Sequence, residues 1–257
     1  MRLTVLGSGS AFSGAGANAT YCLDGALLID CGAPVHVVAP SAGIEVAGIH
    51  TVLLTHFHFD HTGQVVMLLG TRALAEDSPP PLRLAGPSGT REYVTRLLQD
   101  GYGSQLRGLI ERRLGTSTVV LQDGSDTTVE GYRIRARAVV HSTGPSLAYA
   151  VTGPDGATVG FSGDSTMCAG LDAVCAMSDL MVVECSGFDG PVPSHLWSGE
   201  VLELVARHPT TAFLASHLPE RRAVPGTLLA HDGLTLEVNP PGAALPQPPA
   251  TLERAPA

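Results

Sequence analysis

Apolar positions along the chain fall into short runs set off by glycine- and proline-rich turns. Arg2–Leu6 is one such run and ends in GSGSAFSGAGAN; Tyr21–Leu23 and Ala26–Ile29 then bracket an Asp-Gly turn. Runs joined in this way predict successive strands of a meander. Thr51–Thr55 does not alternate, which predicts a strand buried on both faces, and it runs directly into the polar loop HFHFDHTG. Helical spacing follows over Gln64–Leu69. After the apolar segment Leu82–Ala85, the spacing predicts a helix over Ser88–Leu98 and a second over Tyr102–Arg113. Strands resume at Thr118–Leu121. Arg133–Val140 alternates basic and apolar residues, and Leu147–Thr152 and Thr158–Ser162 flank a GPDG turn, so a second meander is expected. The remaining pattern gives a helix over Met167–Met177, a buried strand over Leu180–Glu184, an amphipathic helix over Trp197–His208, a strand over Thr211–Ser216, and one or two closing strands within Thr227–Val238. Strand-rich and helical stretches thus alternate twice, which suits an α/β protein of two sheets with helices outside. Residues 1–239 read as one domain. The Pro/Ala-rich stretch 240–257 reads as a disordered tail.

Composition narrows the setting. At 257 residues, 44% hydrophobic and 15% charged, the chain can bury a full core, which excludes global disorder. The formal charge is −9 and all 15 basic residues are arginine, so a broad basic stripe for duplex DNA or anionic lipid is not expected. Five cysteines without a CxxC pair argue against a disulfide framework or a zinc ribbon and imply a reducing compartment. MRLTVLGSGSAF has no long apolar h-region and later apolar runs are short, so we expect a cytoplasmic protein with no membrane partner.

Candidate chemistry is concentrated at strand ends. His56, His58, Asp60 and His61 lie within six residues immediately after an apolar strand. Imidazole and carboxylate donors suit zinc or another borderline divalent ion, and alternate spacing lets His56 and His58 serve one cavity while Asp60 and His61 reach a second position. Phe57 and Phe59 would make an exposed turn here costly. Three more ligand-type residues, His141, Asp164 and His217, each close a predicted strand.

With these residues in view, the chain resembles the metallo-β-lactamase superfamily. HFHFDH matches its HxHxDH motif, Asp30 in LLIDCG matches its structural Asp, and His141, Asp164 and His217 match its later motifs in order. Over residues 1–238 the resemblance implies an αββα sandwich with a dinuclear site at one edge of the sheets. His56, His58 and His141 would hold one metal; Asp60, His61 and His217 the other; Asp164 would bridge. The chemistry agrees: two dications roughly 3.5–4 Å apart share and activate a hydroxide and stabilise both oxygens of a displacement. A carboxylate at position 164, where a thiolate would favour a softer single site, weighs against a β-lactamase. The metals implied are two divalent ions, zinc foremost, with manganese or iron also suited to such ligands.

Within the superfamily the chain is similar to ribonuclease Z and related phosphodiesterases. GSGSAFSGAGANAT resembles their GTGSAxPT…NATS segment, VECS stands where they have HEAT or HEAS, HLWSGEV resembles HSTxxEA, and SHLPERR and LLAHDG resemble their closing elements. This implies a Glu184–His195 pair that helps the leaving group depart, with Asp60 counted among the catalytic groups. Val183, Leu196-Trp197 and Pro219 depart from those motifs. Only 22 residues separate His141 from Asp164, with no room for the long arm that clamps tRNA in that family, which argues against tRNA as substrate.

Several other features carry two readings. Arg221, just after His217, is placed to bind an anion. Arg112-Arg113 could do the same or lie on a solvated helix face, and Trp197 could stack on a ring or anchor a helix. The glycine-rich turn 7–17 reads as an edge of the active-site cleft, since it lacks the GKS/T of a phosphate loop. Cys168 and Cys175 are expected to be buried, and Cys185, beside Glu184, reads either as a packed residue or as a metal- or oxidation-sensitive thiol. The expected function is dinuclear metal-dependent hydrolysis of a nucleotide or other modest-sized phosphodiester. The alternatives are hydrolysis of an ester, thioester, lactone or sulfate ester at the same metals, or a non-catalytic metal-binding scaffold. Dimers are common among such relatives, and a homodimer would complete a cleft short of basic residues.

Overall fold

The computed structural model describes residues 1–75 and 80–240; most of the expected tail, 241–257, lies outside the described residues. Two seven-stranded sheets face one another. The first runs in the order β14 (Thr235–Glu237), β1 (Arg2–Gly7), β2 (Thr20–Leu23), β3 (Leu27–Ile29), β4 (Thr51–Leu53), β5 (Arg83–Gly86), β6 (Ser117–Val120). The second runs β13 (Leu228–Leu229), β12 (Ala212–Ser216), β11 (Leu180–Glu184), β10 (Thr158–Phe161), β9 (Leu147–Thr152), β8 (Tyr132–Ala138), β7 (Asp126–Val129). Each half opens as an antiparallel meander and continues in parallel strands, β3–β6 in one and β10–β13 in the other.

Three apolar layers explain the stacking. Leu3, Val5, Ile29, Tyr149, Phe161 and Leu214 fill the space between the sheets. The outer face of the first sheet is covered by α1 (Val35–Ser41), α3 (Val65–Leu74) and α4 (Thr90–Leu114), through residues such as Val35, Leu68, Leu69 and Leu98. On the second sheet, Leu171 and Val174 of α5 (Ala169–Ala176) and Val201 and Leu204 of α6 (Ser198–Arg207) do the same. Each such side chain contributes about 1.5–3 kcal/mol by leaving water. The result is the αββα sandwich.

Several local expectations change. The polar loop after β4 contains one helical turn, α2 (Phe59–Thr62). Helix α1 went unpredicted because Pro40 lies inside it and reads as a breaker. The two helices expected between 88 and 113 are both present as the two segments of α4, which meet at Gly103, whose non-helical φ of 70° only glycine adopts at little cost. Strand β7 was also missed: DTTV is polar and pairs at the sheet edge with β8. The closing strands part company, β13 joining the second sheet beside β12 and β14 the first beside β1. Cys168 is half-buried, whereas Cys22, Cys31, Cys175 and Cys185 are buried, and burial pushes the Cys185 thiol up to about 11. Among the described residues, no helix is long and apolar enough to cross a membrane.

Candidate metal centre

The singled-out residues sit where strands stop at one edge of the sandwich. His56 follows β4, His141 follows β8, Asp164 follows β10, Glu184 is the last residue of β11, and His217 follows β12. Strand ends facing the same way are where α/β proteins gather ligand-binding groups. The backbone N–H of Leu147 donates to the Thr55 carbonyl at 3.0 Å, tying the two sheets together beneath the cluster. Asp30 and His217 hold positive φ angles of 56° and 53°, sparsely populated for residues other than glycine and often found at functional sites.

Asp164 is the pivot. His56, His58, His141 and Asp164 can each place one ligand atom within 4.8 Å of the others, and so can Asp60, His61, Asp164 and His217. Oδ2 of Asp164 lies 3.8 Å from His56 Nε2 and 3.7 Å from His141 Nε2, while Oδ1 lies 3.2 Å from His61 Nε2 and 3.6 Å from His217 Nε2. One carboxylate oxygen therefore faces each group of histidines.

Hydrogen bonds fix which imidazole nitrogen is free. Asp30 can only accept, so His61 donates from Nδ1 to its Oδ2 at 2.7 Å. The Thr55 hydroxyl gives its proton to Asp30 at 2.8 Å and accepts from His56 Nδ1 at 3.0 Å. His141 Nδ1 donates to the Ser194 carbonyl at 2.8 Å. Ser186 Oγ donates to Glu184 Oε2 at 2.6 Å and accepts from His217 Nδ1 at 3.0 Å. In each of these four rings Nδ1 is held by a protein acceptor, which turns Nε2 toward the cluster as the atom a metal would take, and His217 Nε2 lies 3.2 Å from Asp60 Oδ2.

The site passes a test of fit for a metal. His56 Nε2, His61 Nε2 and Asp164 Oδ1 are buried without a hydrogen-bond partner, a costly state that a cation relieves. A third grouping, Asp164 with Glu184, His195 and His217, is also compact. Glu184, however, is already satisfied: Oε1 accepts from the Ser165 N–H at 2.7 Å, Oε2 from Ser186, and both oxygens lie 3.1 Å from His195 Nδ1. Its partners are protein groups, which suits a carboxylate that orients an imidazole.

Charge follows the same division. Burial pushes His56 well below its ordinary value, aided by His61. Burial also opposes charge on Asp164, yet His217 and His61 outweigh it and hold the carboxyl well below the usual range. For His61, burial lowers and Asp164 and Asp30 raise, and the carboxylates win. Burial pushes Glu184 up against the opposing His195 hydrogen bond, and Glu184 in turn raises His195 despite partial burial.

Ser10, Ala11, Phe12 and Ser13 form one wall of a cleft of about 370 Å³ that opens onto His58, Asp60, Asp164, His195 and His217. The glycine-rich turn thus does edge the cleft.

The sequence profile of the family described as Anti-Pycsar protein Apyc1 matches residues 1–220. The chain belongs to that family. It is also 31% identical to a ribonuclease Z of Mycobacterium avium over 194 residues, 71% of this chain and 69% of the relative. Among solved structures, the short form of human tRNase Z aligns with TM-score 0.74 and 19% identity, covering 93% of this chain and 99% of that one. The metallo-β-lactamase-fold protein YhfI of Bacillus subtilis aligns with TM-score 0.73 and 19% identity, covering 91% and 97%. This Apyc1-family chain is therefore a metallo-β-lactamase-fold, ribonuclease Z-like, metal-dependent hydrolase with a divalent-metal-binding cluster.

Not every singled-out residue of this family member joins the cluster. Arg221 is exposed and does not line the cleft, while Arg222 pairs with Asp189 at 2.8 Å and lies over the Phe188 ring. Arg113 donates to the Ala75 carbonyl at 3.1 Å, away from the cluster. The Trp197 ring packs over Gly199 at the start of α6, the helix-anchor reading of that residue. Phe59 is 68% exposed, so the cost expected for an exposed turn is partly borne, while Phe57 stacks on Tyr93 at 4.8 Å. Sequence reasoning missed Ser186, Thr55, Ser165 and the Ser194 carbonyl; the serine of VECS was the one visible hint.

Proposed function

We propose that the cluster holds two divalent metal ions, zinc foremost, and hydrolyses a nucleotide or other modest-sized phosphodiester. One ion would be held by His56, His58 and His141, the other by Asp60, His61 and His217, with Asp164 serving both. The observation that carries the reading is the Asp164 carboxylate, whose two oxygens face different histidine groups. Bound there, the cations supply an activated water and positive charge against the phosphate oxygens.

The chain's own groups do the rest. Asp30, Thr55, Ser186 and the Ser194 carbonyl hold the imidazoles in their ligating tautomers. Glu184 keeps the His195 Nδ1 proton in place, so Nε2 is the atom that hands a proton to the departing oxygen. The ribonuclease names of the relatives support a phosphodiester. A modest size is supported by the segment between His141 and Asp164, which is taken up by β9, a tight turn and β10.

The test is turnover of bis(p-nitrophenyl) phosphate by protein reconstituted with zinc or with manganese, against a chelated control, followed by a panel of cyclic nucleotides, dinucleotides and precursor tRNA. Metal-dependent turnover lost in Asp164→Ala together with the second metal equivalent is the expected result. No phosphodiester turnover with two metals bound would instead favour acyl or sulfate esters.

A further inference from the structure

Helix α4 carries a feature that the hydrolytic reading does not use. Its bend at Gly103 folds two helical segments over the outer edge of the first sheet. Between them lies a cavity of about 450 Å³ with Leu69, Leu84, Val94, Leu98 and Ile110 on one side and Arg91, Thr95, Glu111 and the polar run 116–118 on the other. Beside it is a second hollow of about 510 Å³, lined by Arg91, Arg96 and Arg107 with Glu92, Thr95 and Gln99. Arg91 and Thr95 line both. Each volume falls in the roughly 300–1,000 Å³ range of small-molecule sites.

The charges are unbalanced. Among the described residues, neither Arg91 nor Arg96 has a carboxylate partner, and Arg96 instead lies over the Tyr93 ring at 5.6 Å. Arg107 has one loose contact, 3.7 Å from Glu111 within its own helix, and its buried Nε has no hydrogen-bond partner. In a chain of net charge −9, three guanidinium groups set against the two carboxylates of Glu92 and Glu111 leave the lining of the hollows with a local excess of positive charge. Guanidinium groups bind carboxylate and phosphate through paired hydrogen bonds. The side formed by Leu84, Val94, Leu98 and Ile110 is suited to hydrocarbon, because apolar surface is costly to leave against water and cheap to cover with an aliphatic chain.

We propose that the two hollows form a second ligand site for a small anionic amphiphile. Its carboxylate or phosphate head sits among Arg91, Arg96 and Arg107, and its hydrocarbon body lies on Leu84, Val94, Leu98 and Ile110. None of these residues lines the catalytic cleft, so the site stands or falls independently of the hydrolytic assignment.

Isothermal titration of the full chain with decanoate and with decyl phosphate tests this, with decanol and acetate as the headless and tailless controls. One equivalent of at least one anionic amphiphile should bind, at least about tenfold more tightly than either control. Arg91→Ala/Arg107→Ala should weaken that binding at least about tenfold, and Thr95→Trp, which fills the junction of the hollows, should abolish it. Far-ultraviolet circular dichroism of each variant, together with an unchanged metal stoichiometry, reports that the fold is intact. Binding undiminished in both variants, equal binding of decanol, or no binding of either amphiphile at millimolar concentration would overturn the proposal.

Discussion

The carboxylate of Asp30 accepts the Nδ1 proton of His61 at 2.7 Å while its other oxygen takes the Thr55 N–H at 2.8 Å, and both residues of the pair are buried. Asp30 therefore reaches two histidines, His61 directly and His56 through the Thr55 hydroxyl. Asp30→Asn replaces one acceptor oxygen by a donor and upsets both. Outer-shell partners of this kind are worth roughly 10–100-fold in metal affinity. The expected outcome is a metal dissociation constant raised by about that factor, read by competition with a chelating dye. Unchanged affinity would remove Asp30 from any role in orienting ligands.

The Glu184–His195 pair sets a pH dependence. His195 carries a raised pKa because Glu184 stabilises its imidazolium, so the protonated form persists to higher pH than for a free histidine. Replacing Glu184 by Gln removes that stabilisation, and the His195 pKa falls. If protonated His195 serves the leaving group, the alkaline limb of the kcat profile moves to lower pH in Glu184→Gln, at the same metal loading. An alkaline limb that stays in place would show that His195 does not titrate in that step.

The two-sheet architecture and the His/Asp cluster were legible because each is written locally. Short apolar runs mark the strands, and His56, His58, Asp60 and His61 fall within six residues of one another. What supports them was not legible, because it is assembled across distance: Ser194 reaches His141 from 53 residues away, and Ser186 reaches His217 from 31. Hydroxyl residues are too common at strand ends for one to stand out. Arg221 misled for the opposite reason, since nearness to His217 in sequence did not carry its side chain into the cleft. Arg72, in the last turn of α3, likewise finds its partners across distance: it is buried and donates to the carbonyls of Val46, Ala47 and Pro80.

Removing the metals should cost stability as well as activity. A ligand that binds only the folded state contributes about 4.1 kcal/mol at a free concentration 1,000 times its Kd. In a chain of this size each kcal/mol moves Tm by about 2–4 °C. Chelation should therefore lower Tm by about 10 °C or more, and zinc should restore it. Identical melting curves with and without chelator would mean that the cluster binds metal weakly or not at all.

Ser186 joins the two halves of the site through one hydroxyl, donating to Glu184 Oε2 at 2.6 Å and accepting from His217 Nδ1 at 3.0 Å. Ser186→Ala leaves the His217 N–H facing a methyl group in a buried setting, a loss of about 1–3 kcal/mol. Glu184 Oε2, 4.0 Å from His217 Nδ1, is too far to fix its tautomer, while His195 loses a 3.3 Å contact with the Ser186 hydroxyl but keeps both Glu184 oxygens at 3.1 Å. The variant should bind metal about tenfold more weakly while the alkaline limb of its kcat profile, measured at saturating metal, stays near that of the wild type. Under the proposed function this separates Ser186 from Glu184: the serine would act chiefly through His217, the glutamate through His195. A Ser186→Ala protein with wild-type metal affinity and a displaced alkaline limb would reverse that division of labour.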